Sequence, residues 1–249
     1  MGIGTLLRAM VSRNQPQSQL DKQEDTLRAG RYQELYILPA VRKSHVLADE
    51  GSYYVANNLG AGLATVAAPT AFSDLAPLLT IENQDLPSNS NNKRIHLDWI
   101  RLTQTAAGTG ATDLRLRGVL DYTSPSGGTA LTPLSPNSDL PKSDTIAVVR
   151  LLPVGVAQSG KSRVIVGTQV AIPTQTAPLA ALSEVFINFG GVEGAMPLYD
   201  NAAGTAIVNR VLQWPPVIIG PGSCFMLEFL LTAQSAASSW TAELGWWER

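Results

Sequence analysis

The chain has 249 residues, of which 45% are hydrophobic and only 15% are charged, and its formal net charge is -2. This charge excludes an electrostatic basis for binding nucleic acid, because phosphate contacts need clustered Lys and Arg. The one cysteine, Cys224, excludes an internal disulfide and a cysteine-based zinc site. The length permits one large all-β domain or two small ones, and the low charge predicts a surface of small and uncharged polar residues.

Residues 1–50 differ in composition from the rest of the chain. A short helix is predicted over residues 18–28, with Ser18 as its N-cap and Gly30 as its end. This helix has too few apolar residues to hold itself on a core, so we expect residues 1–50 to form an N-terminal arm that becomes ordered on a neighbouring molecule. A disordered leader is the alternative. Residues 1–10 lack the apolar core of a signal peptide, so we expect no secretion by that route, and no apolar run approaches the roughly 18 residues of a membrane helix.

From Ser52 onward the sequence is a succession of short strands and turns, without a helical segment long enough for a βαβ unit. This pattern predicts an all-β fold, an antiparallel β-sandwich over residues 51–249. Residues 122–143 form an insertion rich in Ser, Thr, Pro and Gly, and insertions of this length tend to be functional or to lie at an interface. The predicted strands cover residues 53–56, 78–82, 94–102, 113–121, 145–152, 163–172, 206–214, 224–231 and 240–248.

Alternation of apolar and polar residues predicts the faces and partners of these strands. In the third strand, Ile95, Leu97 and Trp99 share an apolar face, and the fourth strand alternates apolar with charged residues. We therefore expect these two strands to be partners in a sheet that has one solvated face. The two predicted pairs are residues 94–102 with 113–121 and residues 145–152 with 163–172.

The last predicted strand carries three tryptophans on two different faces. Trp240 and Trp246 share a face with Leu244, which predicts that both lie in the core. Trp247 points the other way, and we expect its ring at a subunit contact, with a sugar-stacking platform as the alternative. Cys224 lies among apolar residues and is expected to be a buried small hydrophobe.

Residues 155–162 match the phosphate-binding pattern G-x-x-x-x-G-K-[ST]. That chemistry needs a helix N-terminus directly after the motif, which supplies backbone N–H groups to the phosphates. Residues 163–170 are rich in β-branched side chains and contain Gly167, which favours a strand over a helix. We therefore interpret the motif as a hairpin loop between two strands and expect no nucleotide binding.

The two histidines give weak grounds for catalysis. His96 lies two residues from Asp98 on the predicted solvated face, and His45 has Asp49 and Glu50 nearby in sequence. A solvated strand face explains the first, and no nucleophile motif accompanies the second. No acidic segment has the spacing of a calcium loop, although paired carboxylates that meet only in the folded protein stay open. We expect no catalytic residue, no cofactor, no metal site and no enzyme.

The C-terminal pattern resembles that of jelly-roll structural proteins of tailed bacteriophage virions, in particular capsid decoration (cement) proteins. The pattern is an apolar strand, the turn Gly220-Pro221-Gly222, a strand of Phe and Leu, a small-residue loop and a Trp-rich strand that ends at Glu248. The resemblance covers residues 94–249 by architecture and composition. It implies a jelly-roll domain in a homotrimeric knob, an arm over the lattice, a place on the outer capsid surface of the virion, and the major capsid protein as partner.

The expected function is therefore that of a non-enzymatic protein that stabilises a phage head by bridging major capsid protein subunits. Several weak contacts made at once by three arms would give such a protein avidity. The alternatives are a small jelly-roll major capsid protein, a tail-fibre protein, a carbohydrate-binding β-sandwich and, last, a β-fold hydrolase. The expected interface residues are Leu6, Leu7, Arg8, Arg13, Tyr32, Tyr36, Arg42 and Trp247.

Overall fold

The computed structural model describes residues 43–58, 63–64, 72, 76–85, 92–106, 113–139, 145–153, 159–169, 183–190, 199–200, 208–232 and 239–249. One helix and fourteen strands lie within these ranges. They are α1 (Lys43–Asp49), β1 (Tyr53–Asn57), β2 (Leu63–Ala64), β3 (Leu79–Asn83), β4 (Ile95–Ala106), β5 (Asp113–Asp121), β6 (Thr129–Leu131), β7 (Ala147–Leu151), β8 (Arg163–Gln169), β9 (Glu184–Phe189), β10 (Tyr199–Asp200), β11 (Val208–Trp214), β12 (Ile218–Ile219), β13 (Cys224–Thr232) and β14 (Ser239–Glu248).

The strands form two sheets, which confirms the all-β prediction. The first sheet has the order β1-β14-β4-β9-β11-β10, with β12 beside β4 and β2 beside β14. The second sheet has the order β6-β7-β3-β13-β5-β8. The sheets are not purely antiparallel, because β9 and β11 run parallel. Residues 190–207 separate these two strands in sequence, which is long enough for the crossover that a parallel pair requires.

The pairing of the strands is nested along the chain. β1 pairs with β14, and β3 pairs with β13. Inside these outer pairs, β4 pairs with β9 and β5 pairs with β8. β14 and β4 then join two of these pairs into the first sheet, and β13 and β5 join the other two into the second.

Every predicted strand corresponds to an observed one, but both predicted pairs are wrong. β4 and β5 lie in different sheets, and β7 and β8 lie near opposite ends of the second sheet. The physical reason is that alternation reports which side of a strand is apolar, whereas the partner depends on contacts made across the whole chain. The predicted insertion at residues 122–143 also contains a short strand, β6, which pairs with β7.

The main core lies between the two sheets and is rich in aromatic residues. Trp240 and Trp246 are fully buried in it, as the sequence predicts. The ring of Trp240 packs edge to face on Phe229 at 5.2 Å, an arrangement that aromatic quadrupoles favour. Trp246 donates its indole N–H to Glu248, whose carboxylate also accepts from the backbone N–H of Ile146 and the hydroxyl of Thr145. This buried carboxylate joins the end of β14 to the chain just before β7 in the other sheet.

The outer face of the second sheet is solvated only in part. Arg115 of β5 is exposed there, but Val119, Cys224 and Met226 form a second buried cluster, in which each residue is at most 1% exposed. The Cys224 thiol donates to the carbonyl oxygen of Thr123 at 3.2 Å. The chain just after β5 therefore covers part of this face, so β13 is buried on both sides.

Candidate functional site

A register shift between β4 and β14 brings an aromatic side chain to the outer face of the first sheet. Gly245 of β14 is opposite Trp99, but the next residue of β14 is opposite Leu97, so Asp98 is an extra residue in β4. Such a β-bulge reverses the alternation beyond it. Ile95 and Leu97 point into the core before the bulge, whereas Trp99 is turned to the outer face and is only partly buried. The prediction that Trp99 shares a face with Ile95 and Leu97 is therefore wrong.

The bulge places Trp99 in an aromatic surface, which we call the outer aromatic face. His96 and Trp247 stack at 3.7 Å with their rings 7° from parallel. Trp99 and Phe186 lie near parallel at 6.0 Å. The outer aromatic face consists of the side chains Tyr53, His96, Trp99, Phe186 and Trp247.

Hydrogen bonds hold the centre of the outer aromatic face. The Tyr53 hydroxyl donates to Oδ2 of Asp98 at 2.8 Å and accepts from Nε1 of Trp99 at 2.9 Å. Burial, followed by the charge of Asp98, raises the pKa of Tyr53 above its ordinary value, so the hydroxyl stays a hydrogen-bond donor even in alkaline solution. Gly245 lies directly beneath, where a Cβ would be 2.5 Å from Nε1 of Trp99.

A cavity of about 590 Å³ adjoins this centre. Its floor includes Tyr53 and Trp99 of the first sheet, and its walls come from α1 and from the turn at residues 136–138. Asn137 ties the two walls together, because its side-chain amide donates to the carbonyl oxygen of Ala48 at 3.4 Å. The described wall residues are Ser44, His45, Ala48, Asp49, Pro136, Asn137 and Ser138.

The expected interface residues have different outcomes. Seven of the eight expected interface residues, all except Trp247, fall outside the described residues. Trp247 does lie on the face opposite Trp240 and Trp246, as predicted, and it is partly buried. Its stacking on His96 covers one side of the ring, which leaves a smaller platform than an isolated tryptophan would offer. The seven are Leu6, Leu7, Arg8, Arg13, Tyr32, Tyr36 and Arg42.

The histidines take separate structural roles. His96 stacks on Trp247, and Asp98, at the bulge, accepts the proton of the Tyr53 hydroxyl. His45 lies on α1 and lines the cavity. In the described part of the chain, no three His, Cys, Asp or Glu side chains are grouped so that they could hold a metal ion.

The phosphate-binding pattern continues into a strand. β8 begins at Arg163, where a nucleotide site would need the N-terminus of a helix. The hairpin interpretation is wrong, however, because β7 and β8 do not pair with each other. Lys161 and Arg163 instead lie 6.0 and 5.6 Å from the centre of the Tyr122 ring, and Arg163 donates to the Tyr122 hydroxyl at 2.6 Å.

The sequence predictions missed the centre of the site. Tyr53, Trp99, Phe186 and Asn137 were not expected to come together, because they lie on four separate segments. One signal was present: Trp99 is followed directly by Ile100, and two adjacent bulky apolar residues in an alternating strand indicate a bulge.

The chain matches no family model, and neither the curated proteins nor the solved structures contain a match. Across the described ranges, no helix has the length and apolarity to span a membrane. The fold and the site define a class: a two-sheet, all-β protein that carries an aromatic outer face with an adjoining cavity.

Proposed function

We propose that the protein is a non-enzymatic virion structural protein, a capsid decoration (cement) protein that stabilises a phage head by bridging major capsid protein subunits. The observation that carries this proposal is the nested pairing of the strands. Eight strands fall into two sets of four, with the orders β1-β14-β4-β9 and β3-β13-β5-β8. We infer a jelly roll from this order, in which the first strand pairs with the last, and so on inward, before the chain rolls into two sheets.

The jelly roll supports the proposal because viral capsid proteins use it repeatedly, although lectin domains use it too. One fold can serve many functions, so the choice among them must rest on the properties of the protein surface. Only 15% of the residues are charged. A surface of this kind loses little solvation energy when it is packed against neighbours, which suits a protein of a lattice.

Contacts with the capsid are assigned to two parts of the chain. The first is the arm, residues 1–50, with Leu6, Leu7, Arg8, Arg13, Tyr32, Tyr36 and Arg42. The second is the end of the outer aromatic face, where the partly buried Trp247 stacks on His96. Large aromatic side chains are frequent anchors of protein interfaces. In a homotrimer, three arms and three such anchors would act together and raise the avidity for the lattice.

Co-sedimentation with phage heads that lack their decoration layer tests this proposal. The full chain is expected to sediment with the heads, and a variant without residues 1–42, which keeps α1, is expected to lose most binding. Trp247→Ala should weaken binding, whereas Tyr122→Ala serves as a matched control because Tyr122 is a 51% exposed aromatic residue that does not belong to the outer aromatic face.

Two outcomes would contradict the proposal. If the full chain does not sediment with any head preparation but assembles into closed shells by itself, the small major capsid alternative is correct. If the chain without residues 1–42 binds as well as the full chain, the role assigned to the arm is wrong.

A further inference from the structure

We propose that the cavity between α1 and the outer aromatic face binds a neutral saccharide unit. This inference goes beyond the proposed capsid function and does not depend on it. The cavity's volume, about 590 Å³, lies within the range of small-ligand sites, which is roughly 300–1,000 Å³. The ligand class follows from the groups on the floor of the cavity, from the groups on its walls and from the lack of Lys and Arg among its described lining residues.

The floor offers an aromatic ring that is already held in position. Nε1 of Trp99 is bonded to the Tyr53 hydroxyl, and the absence of a side chain at Gly245 lets the indole lie close against β14. Phe186 lies near parallel to the same indole. A fixed ring loses little conformational entropy when a ligand binds. The C–H face of a pyranose is an apolar surface that packs on such a ring.

The walls offer hydrogen-bonding groups of the kinds that sugar hydroxyls need. Ser44 and Ser138 have hydroxyls that donate and accept, Asn137 has an amide, and Asp49 has a carboxylate that can accept from two neighbouring hydroxyls. Asp49 and Ser138 are exposed, and Asn137 is anchored to α1 through Ala48. Polar groups arranged around an apolar floor are typical of sites that orient a small polar ligand.

The lining argues against other ligand classes. None of the described residues that line the cavity is Lys or Arg. A nucleotide or another phosphate ester would favour such cations in the lining. A purely apolar ligand would leave Asp49 and its polar neighbours desolvated without partners, which is unfavourable. The sugar platform considered for Trp247 is a different place, because Trp247 is not among the described residues that line this cavity.

The test is titration of the full chain with a panel of neutral disaccharides, namely maltose, cellobiose, lactose, xylobiose and N,N′-diacetylchitobiose. Binding is followed by saturation-transfer NMR and by the indole N–H resonances, with Trp99→Phe used to assign the Trp99 signal. At least one sugar is expected to bind and to shift the Trp99 resonance. Asp49→Ala should weaken that binding about tenfold through the loss of hydrogen bonds, and Trp99→Phe about fivefold through the smaller stacking surface.

Control variants distinguish binding in the cavity from binding at Trp247. Trp247→Phe should leave the affinity unchanged, because Trp247 is not among the described lining residues. Asp49 is exposed, so Asp49→Ala is expected to fold normally even if Trp99→Phe does not.

The inference is overturned if no sugar of the panel binds at millimolar concentration. It is also overturned if binding survives Asp49→Ala and is lost in Trp247→Phe, which would place the site elsewhere. Failure of the capsid proposal would instead appear as loss of sedimentation with heads while sugar binding is retained.

Discussion

At the scale of single residues, Gly245 determines whether Trp99 and Tyr53 can approach β14. A Cβ at this position would lie 2.5 Å from Nε1 of Trp99 and 2.7 Å from the Tyr53 hydroxyl. Both neighbours are part of one hydrogen-bonded group with Asp98, so neither can move without breaking a bond. The absence of a side chain is therefore a packing requirement of the outer aromatic face.

Gly245→Ala is expected to lower the free energy of unfolding by about 1–3 kcal/mol, the usual cost of overpacking. It should also shift the fluorescence of the tryptophans, because the indole of Trp99 is displaced. Urea denaturation measures the first effect. Gly167→Ala is the matched control in β8, where a Cβ would meet nothing within 4 Å, and it should change stability by less than about 1 kcal/mol. Equal effects of the two substitutions would contradict this explanation.

Burial of Cys224 controls the reactivity of its thiol and the dependence of the free energy of unfolding on pH. Burial, with smaller effects of Asp121 and Glu82, raises the pKa of the Cys224 thiol from 9.0 to about 12. The folded chain thus holds the thiol proton to a higher pH than the unfolded chain does. The contribution to stability is complete below pH 9 and is lost as the pH rises from 9 towards 12.

The free energy of unfolding should therefore fall between about pH 8.5 and pH 10, and the fall should be smaller in Cys224→Ala by about 1 kcal/mol. Denaturant titrations at the two pH values measure this difference. In the native protein at pH 8, thiol reagents should modify Cys224 only as fast as the chain opens. Rapid labelling of the native chain would show that the thiol is accessible. The same conclusion would follow if the free energy of unfolding fell equally with pH in Cys224→Ala and in the unchanged chain.

At the scale of elements, two cross-strand ion pairs differ in their surroundings. Arg101 of β4 and Glu243 of β14 form a pair on the first sheet, with side chains 42% and 36% exposed. Arg117 of β5 and Glu228 of β13 form a pair on the second sheet, with side chains 24% and 2% exposed. The guanidinium of Arg117 also lies over the Phe72 ring, 4.8 Å from its centre. Solvent screens the first pair far more than the second.

Arg117→Met is expected to cost about 3 kcal/mol of stability, because it removes the Arg117 cation from the nearly buried carboxylate of Glu228. Arg101→Met, the matched control, should cost less than about 1 kcal/mol. Urea denaturation at low and at high salt measures both changes in the free energy of unfolding. A similar loss in the two variants would mean that burial does not distinguish the pairs.

At the scale of the whole molecule, the nested pairing makes the first and last strands neighbours. β1 pairs with β14, and Tyr53 at the start of β1 is opposite Trp247. The proposed arm and the proposed anchor Trp247 would together allow copies of the chain to join around an axis. The trimer is a prediction that follows from this proposal.

Light scattering after size exclusion is expected to give a mass of about three times 26.5 kDa for the full chain. The mass should fall towards that of one chain when residues 1–42 are removed or on dilution. Trp247→Ala should weaken the trimer, and Tyr122→Ala should not. A strict monomer at all concentrations would count against the decoration proposal.

How far the sequence predicts the fold can be judged from particular residues. Alternation along 240–248 correctly assigns Trp240 and Trp246 to the core and Trp247 to the other face, because a strand's side-chain period of two is a local property. The apolar neighbours of Cys224 correctly predict its burial for the same reason. β-branched residues after Gly160 likewise predict the strand that excludes a phosphate-binding helix.

Only the tertiary structure decides which strands are partners and where the candidate site lies. β4 pairs with β14 and β9, which are far from it in sequence, and the bulge at Asp98 moves Trp99 from the predicted core face to the outer face. The cavity then needs α1, the turn at Asn137 and this displaced ring together. Such contacts depend on the packing of the whole chain, and neither composition nor local periodicity contains that information.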